Sequence, residues 1–231
     1  MDLQSNTPTT PTFKCLLLGD SGVGKSTFLR RHATGEFREQ HVPTIGLNVH
    51  ALLLQTSYQA AKLELWDVAG DSRHGGIHNG YFFFAKCAII MFDLSVPSTA
   101  ISVSRWLQQL AQICGQDLPI VICGNKAELE RMPQQLVLRQ QSNLDYCEIS
   151  ACAAWNLDAP LELLCRRLLQ RQDLRLIAQP KLLAFESCMC NLNKMKQQME
   201  AVRRKMLVAK DADCNVAEDA ENEANQRIIL N

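Results

Sequence analysis

The chain has 231 residues with 24 basic and 24 acidic side chains, so its formal net charge is zero. That length suits one ordinary domain with tails, or at most two small domains, and allows a sizeable core. The charge balance gives no overall footprint for nucleic acid or an anionic membrane surface. The reading expects neither as a partner.

The 10 cysteines sit mostly inside apolar runs (Cys15, Cys87, Cys123, Cys165), and no spacing resembles a zinc site. Reduced core thiols in the cytosol or nucleus are the expectation. Residue 2 is Asp, not the Gly that myristoylation needs, and Ile228-Ile229-Leu230-Asn231 holds no cysteine for prenylation. No apolar run approaches the length of a membrane span. A soluble, unanchored protein is expected.

Residues 1–11 are rich in Thr, Pro and Ser and read as a disordered tail. Phe13 to Leu18 is a short apolar run that reads as a buried strand. Gly19-Asp20-Ser21-Gly22-Val23-Gly24-Lys25-Ser26-Thr27 follows, matching G-x-x-x-x-G-K-[ST] at every fixed position, and Phe28 to Ala33 reads as a helix. Strand, glycine loop and helix form the context that makes this motif specific; the bland reading is a chance glycine turn. The glycines admit backbone angles other residues resist. Successive N–H groups then face one concavity at a helix N-terminus, which is an anion site shaped for a polyphosphate. In that motif Lys25 reaches the β- and γ-phosphates and Ser26 offers its hydroxyl to magnesium.

Residues 34–48 are irregular and hold Phe37, Pro43, Thr44 and Gly46. Strands are expected over Val49 to Leu54 and Ala61 to Trp66. The second leads into Asp67-Val68-Ala69-Gly70, a D-x-x-G pattern. There the Asp67 carboxylate would hold magnesium through water, and the Gly70 amide would touch a γ-phosphate. Thr44 could give a second hydroxyl to the metal. A glycine-rich loop spans Asp71 to Gly80.

Cys87 to Phe92 and Pro119 to Cys123 are continuously apolar, as suits parallel strands buried on both faces. Ser98 to Cys114 between them has helical spacing. Asn125-Lys126-Ala127-Glu128 resembles N-K-x-D, in which a carboxylate accepts from guanine N1–H and the exocyclic amine. Tyr146 to Ile149 is the last short strand. Ser150-Ala151-Cys152 after it resembles S-A-K, where the Ala151 amide would meet guanine O6. A helix is expected from Asn156, with Pro160 in its first turn and Leu161, Leu164 and Leu168 on one face. Alternating strands and helices give an α/β fold with right-handed crossovers. Ligands in such sheets bind at the carboxyl ends of the strands.

Past Pro180 the composition shifts. Residues 188–209 read as a basic helix and the segment after it as an acidic tail. A solvated helix with a loose tail and a mobile docking arm are both open.

These motifs in this order resemble the small GTPases of the Ras superfamily. Arg31-His32-Ala33-Thr34-Gly35-Glu36-Phe37, His74 to Tyr81, Cys87 to Asp93, Trp106 and Leu118 to Lys126 resemble the Ran branch in particular, over about residues 13–180. The resemblance implies a divergent Ran paralogue. Its fold would be a P-loop NTPase G domain over 12–180, with a six-stranded, mostly parallel sheet flanked by helices and a C-terminal arm over 181–231. Its ligands would be GTP or GDP with Mg2+. The nucleotide would be held by Asp20, Ser21, Gly22, Val23, Gly24, Lys25, Ser26, Thr27, Phe37, Thr44, Gly70, Asn125, Lys126, Glu128, Ser150, Ala151 and Cys152. Magnesium would be held by Ser26, Thr44 and, through water, Asp67. The loops 34–48 and 70–82 would be switches ordered by the γ-phosphate. The same resemblance implies importin- or exportin-type receptors, an exchange factor and Ran-binding proteins as partners. It also implies a monomer working in the nucleus and cytoplasm.

The departures from the family pattern limit this reading. Asp71 stands where the family carries the catalytic Gln that orients water. It is shorter, has no amide donor and places charge near an anionic γ-phosphate, so slow hydrolysis is expected. His41 replaces a switch Tyr. Glu128 keeps the carboxylate of N-K-x-D but reaches one methylene further. Cys152 removes the aliphatic cover of a Lys. A basic cluster of the Ran branch reads here Arg139-Gln140-Gln141-Ser142, and its acidic C-terminal end is missing. Two functions therefore stand: a GTP-binding switch in nucleocytoplasmic transport with impaired turnover, or a hydrolysis-deficient module acting through receptor contacts. A P-loop kinase or ATPase is disfavoured by the Asn125-Lys126 pair.

Overall fold

The computed structural model describes residues 10–38, 43–70, 79–131 and 143–183. The tail expected over 1–11 lies outside them except for residues 10 and 11. So do His41, Asp71, the 139–142 segment, the expected helix over 188–209 and the acidic tail.

Strand β1 (Thr12–Leu18) leads through the glycine loop into helix α1 (Lys25–Thr34). Strands β2 (Leu47–Gln55) and β3 (Ala60–Val68) form a hairpin. A short 3-10 turn (Asn79–Tyr81) precedes β4 (Cys87–Asp93). Helix α2 (Pro97–Cys114), β5 (Ile120–Asn125), β6 (Leu144–Glu148), α3 (Ala159–Leu168) and β7 (Lys181–Leu182) follow. They build one sheet in the order β6-β5-β4-β1-β3-β2-β7. The strands from β6 to β3 pair in parallel, while β2 runs antiparallel to β3. The six expected strands are present, and β7 is a seventh that the sequence did not suggest.

The pleat sorts side chains to two faces. Cys15, Leu17, Leu63, Leu65, Ile89 and Met91 pack with Phe28 and Leu29 of α1 and with Leu161, Leu164 and Cys165 of α3. Leu16, Leu18, Ile90 and Phe92 alternate with them and are buried on the opposite face. Helix α2 lies against β4. It buries Ala100, Val103, Trp106 and Leu110, the spacing of one helical face. Every residue of β4 and β5 is buried, which is why both read as unbroken apolar runs. Burying a side chain such as Phe28 contributes about 1.5–3 kcal/mol.

Several element ends differ from expectation by a few residues, β2, β5 and β6 among them, and three of the differences bear on the site or its frame. Helix α1 starts at Lys25, so the lysine and serine of the motif are its first two residues. Strand β3 runs through Asp67 to Val68. Helix α3 begins at Ala159, because Asn156 takes a left-handed φ of 56° and its carbonyl accepts from the Ala159 amide in a turn. Pro160 does lie in the first turn of α3, where its missing N–H costs nothing.

The chain beyond α3 returns along the outer edge of β2. Leu176 bridges to Thr56, the Ile177 amide donates to Gln55 O at 2.9 Å, and β7 pairs with Leu52 and Leu53. Glu162 fixes this course. Its Oε2 accepts from the Leu176 amide at 3.0 Å, and its Oε1 accepts from Arg166 and from Arg175 at 3.1 Å.

Candidate nucleotide-binding site

Three loops meet at the carboxyl ends of β1, β3 and β5. The loop after β1 turns on Gly19 (φ 138°), Gly22 (φ 80°) and Gly24 (φ 103°). A Cβ on Gly24 would stand 2.2 Å from Asn125 Nδ2, and one on Gly19 would stand 2.1 Å from Met91 O. Both positions therefore demand glycine for space as well as for angle.

Lys25 folds back over its own loop. Its ammonium donates to Gly19 O at 2.8 Å and Asp20 O at 2.9 Å. Burial pushes it down to about 8, against the pull of the Asp67 and Asp20 carboxylates. A buried cation bonded to neutral carbonyls beside the amides of a helix N-terminus fits a polyphosphate. Asp20 turns its carboxylate away, accepting from Arg105 at 2.9 Å and from Trp106 Nε1 at 3.2 Å. That leaves the loop backbone, and not a negative charge, facing the concavity. Ser21 and Gly22 are exposed at the loop's crest, Val23 is buried, and Thr27 is half-buried in the first turn of α1.

The expected metal residues converge. Ser26 Oγ donates to Asp67 Oδ2 at 2.6 Å and lies 2.8 Å from Thr44 Oγ1, which donates to the same Oδ2 at 3.3 Å. The other carboxylate oxygen, Asp67 Oδ1, is buried and has no hydrogen-bond partner among the described residues. Burial also raises the Asp67 carboxyl, opposed by Ser26, Lys25, His50 and Thr44. Two hydroxyls and a carboxylate with an unsatisfied oxygen fit a hard cation with oxygen ligands, magnesium included. Ser26, Thr44 and Asp67 would hold it, and when bound it would neutralise charge on phosphate oxygens.

Gly70 is pressed against the phosphate loop. A Cβ there would meet Asp20 C at 2.4 Å, Ser21 N at 2.5 Å and Gly19 O at 2.6 Å. Any movement of the β3 exit must therefore be felt by that loop. Asp71, the next residue, lies outside the described residues.

Asn125 ties the loops together. Its Nδ2 donates to Val23 O at 2.8 Å, and its Oδ1 accepts from the Ala151 amide at 3.0 Å. The Ala151 N–H expected to face guanine O6 is thus engaged by Asn125. Lys126 adopts a φ of 65° and places its ammonium 2.6 Å from Asp93 Oδ2. Burial alone would raise the Asp93 carboxyl, but Lys126 and Ser95 hold it below its usual range. Glu128 is exposed, three residues past the strand end. Ser150 is buried, and its Oγ accepts from the Ala153 amide at 2.8 Å. Cys152 is half-buried beside it.

Two anchors carried no role in the sequence reading. Arg31 donates to Ala151 O, Cys152 O and Gly35 O and lies 5.4 Å from the Phe37 ring. His32 packs edge-on against Phe28 and faces Asp158 at 3.3 Å. An Arg-His pair ending a helix has no motif of its own, and only the tertiary fold brings it to residues about 120 positions away. Asp93 was likewise unmarked, as a single acid at a strand end.

The Ras family sequence model matches residues 14–170. That span contains the glycine loop, the Ser26–Thr44–Asp67 cluster and both loops joined by Asn125, and covers more than half of the chain. The chain belongs to the Ras family of GTP-binding small GTPases.

Proposed function

We propose that the protein is a Ran-like, magnesium-dependent GTP-binding switch that hydrolyses GTP slowly. The observation that carries the reading is the meeting of Ser26, Thr44 and Asp67 beside the buried ammonium of Lys25. Thr44, in the loop before β2, bonds Asp67, and Gly70, in the loop after β3, lies against the phosphate loop. A γ-phosphate between them would hold both, and its loss would release both. The Ran branch is supported by the matching segments around Arg31, Cys87 and Leu118. From these follow transport receptors, an exchange factor and a nuclear and cytoplasmic location.

Slow turnover rests on Asp71. A water-orienting amide is replaced by a shorter carboxylate that repels the phosphate, in a class where catalysis is positioning and charge stabilisation. Asp71 also favours the second reading, a hydrolysis-deficient module that works by receptor contact alone. Single-turnover GTP hydrolysis decides between them. Asp71→Gln should hydrolyse at least about tenfold faster than wild type, within the range a single positioned donor carries. Equal rates would refute the role given to Asp71. Hydrolysis absent from both proteins would favour the binding module.

A further inference from the structure

The α1 C-terminus is connected to the candidate base-reading loop by one side chain. Arg31 Nε donates to Ala151 O at 2.8 Å, one terminal nitrogen donates to Cys152 O, and the other donates to Gly35 O at 2.6 Å. Gly35 caps α1 in a left-handed conformation, its own amide returning to Arg31 O at 3.0 Å. The guanidinium carbon then stands over the ring of Phe37, two residues further on, 5.4 Å from its centre. A cation near a helix C-terminus is ordinary and accounts for the bond to Gly35. It does not account for two bonds to consecutive carbonyls in Ser150-Ala151-Cys152.

We propose that Arg31 is a positioning residue for nucleotide retention, a clamp that holds the Ala151–Cys152 loop and Phe37 together over the edge of the base. This rests on the guanine-nucleotide reading of the site. The clamp works through backbone carbonyls, so the loop is fixed whatever side chain stands at 152. That matters here because Cys152 supplies less cover than the Lys it replaces. A planar fork with five donors reaches three carbonyls at once and still presents a face to an aromatic ring. A lysine ammonium is a single compact point of charge and lacks the spread of the fork that bonds Ala151 O, Cys152 O and Gly35 O together. Arg31 lies far along α1 from Ser26, so loosening it should leave the metal site intact.

The test is release of a fluorescent GDP from the full-length protein, chased with excess unlabelled GDP, with magnesium and with EDTA. Arg31→Ala should speed release by about tenfold or more, since several charge-assisted hydrogen bonds are lost together. Preference for GDP over ADP should fall in the same variant. The factor by which EDTA accelerates release should match wild type, because the hydroxyls at Ser26 and Thr44 are untouched. Arg31→Lys, which keeps charge and length, should restore only part of the retention. Unchanged release in Arg31→Ala overturns the proposal. So does faster release with GDP/ADP preference intact and the nucleotide-free melting temperature lowered, the mark of a merely structural residue. Full rescue by Arg31→Lys overturns the three-point clamp. Wild type that binds no guanine nucleotide refutes the underlying reading instead, and is told apart by that first control.

Discussion

At Gly24 a hydrogen is all that fits: the φ is 103° and a Cβ would stand 2.2 Å from the amide nitrogen of Asn125. Gly24→Ala should therefore displace Asn125, break its bond to Val23 O and abolish nucleotide retention, measurable by filter binding of labelled GDP. Glu128 carries a milder prediction under the guanine reading. Its carboxylate reaches one methylene further than the Asp of N-K-x-D, and a charged hydrogen bond contributes about 1.5–3 kcal/mol. Glu128→Asp should raise the preference for GDP over ADP by roughly tenfold or more, read from competition with unlabelled nucleotides. A residue-scale prediction outside the site concerns Lys14. Its ammonium donates to Phe83 O at 2.8 Å and lies 3.7 Å over the Trp66 ring. Burial pushes it down to about 7, opposed by Cys114 and Glu64. The unfolded chain then binds more protons than the folded one between about 7 and the ordinary 10.5. The cost of burying charge is complete below the folded value and is relieved as pH rises through that window. Stability should climb from pH 7 to 9, with a slope of at most about 1.4 kcal/mol per pH unit from one proton. Lys14→Met should flatten that slope in denaturant titrations.

Among the elements, those with a strong local period were legible and those made by tertiary pairing were not. Strands β4 and β5 announced themselves because both faces are covered, and α2 because Ala100, Val103, Trp106 and Leu110 share one face. Strand β7 is two residues long and has no pattern of its own; its place is set by Glu162 and by the free edge of β2. The motifs located Lys25, Ser26, Asp67 and Asn125, since phosphate and metal chemistry dictates residue type and spacing. Thr44 was legible only by position. Arg31, His32 and Asp93 were not, because what they do is fasten one loop to another, and many sequences can do that. Removing the carboxylate in Glu162→Ala should free the Leu176 amide and Arg175. The expected outcome is a stability loss of about 1–3 kcal/mol and faster hydrogen exchange at Leu176 and Ile177. GDP affinity should stay unchanged.

Across the whole molecule, Asn125 bonds the glycine loop at Val23 O, and Ser26 at the end of that loop bonds Asp67, which makes these the residues that the proposed nucleotide would lie along. Binding of such a ligand only to the folded state stabilises it by about 4 kcal/mol at a thousandfold excess over Kd. For a chain of this size that corresponds to a rise of very roughly 10 °C in melting temperature. The rise should need magnesium and should vanish in Ser26→Ala, where a hydroxyl of the metal set is gone. If Asp71 slows hydrolysis as proposed, GTP that is bound in the cell stays unhydrolysed, and the purified protein should carry it. The direct measurement is the nucleotide set free when the purified protein is denatured with acid, identified by ion-pair chromatography. Close to one guanine nucleotide per chain is expected, GTP among it. A protein that carries none and binds none with magnesium, or that carries adenine nucleotide instead, would contradict it.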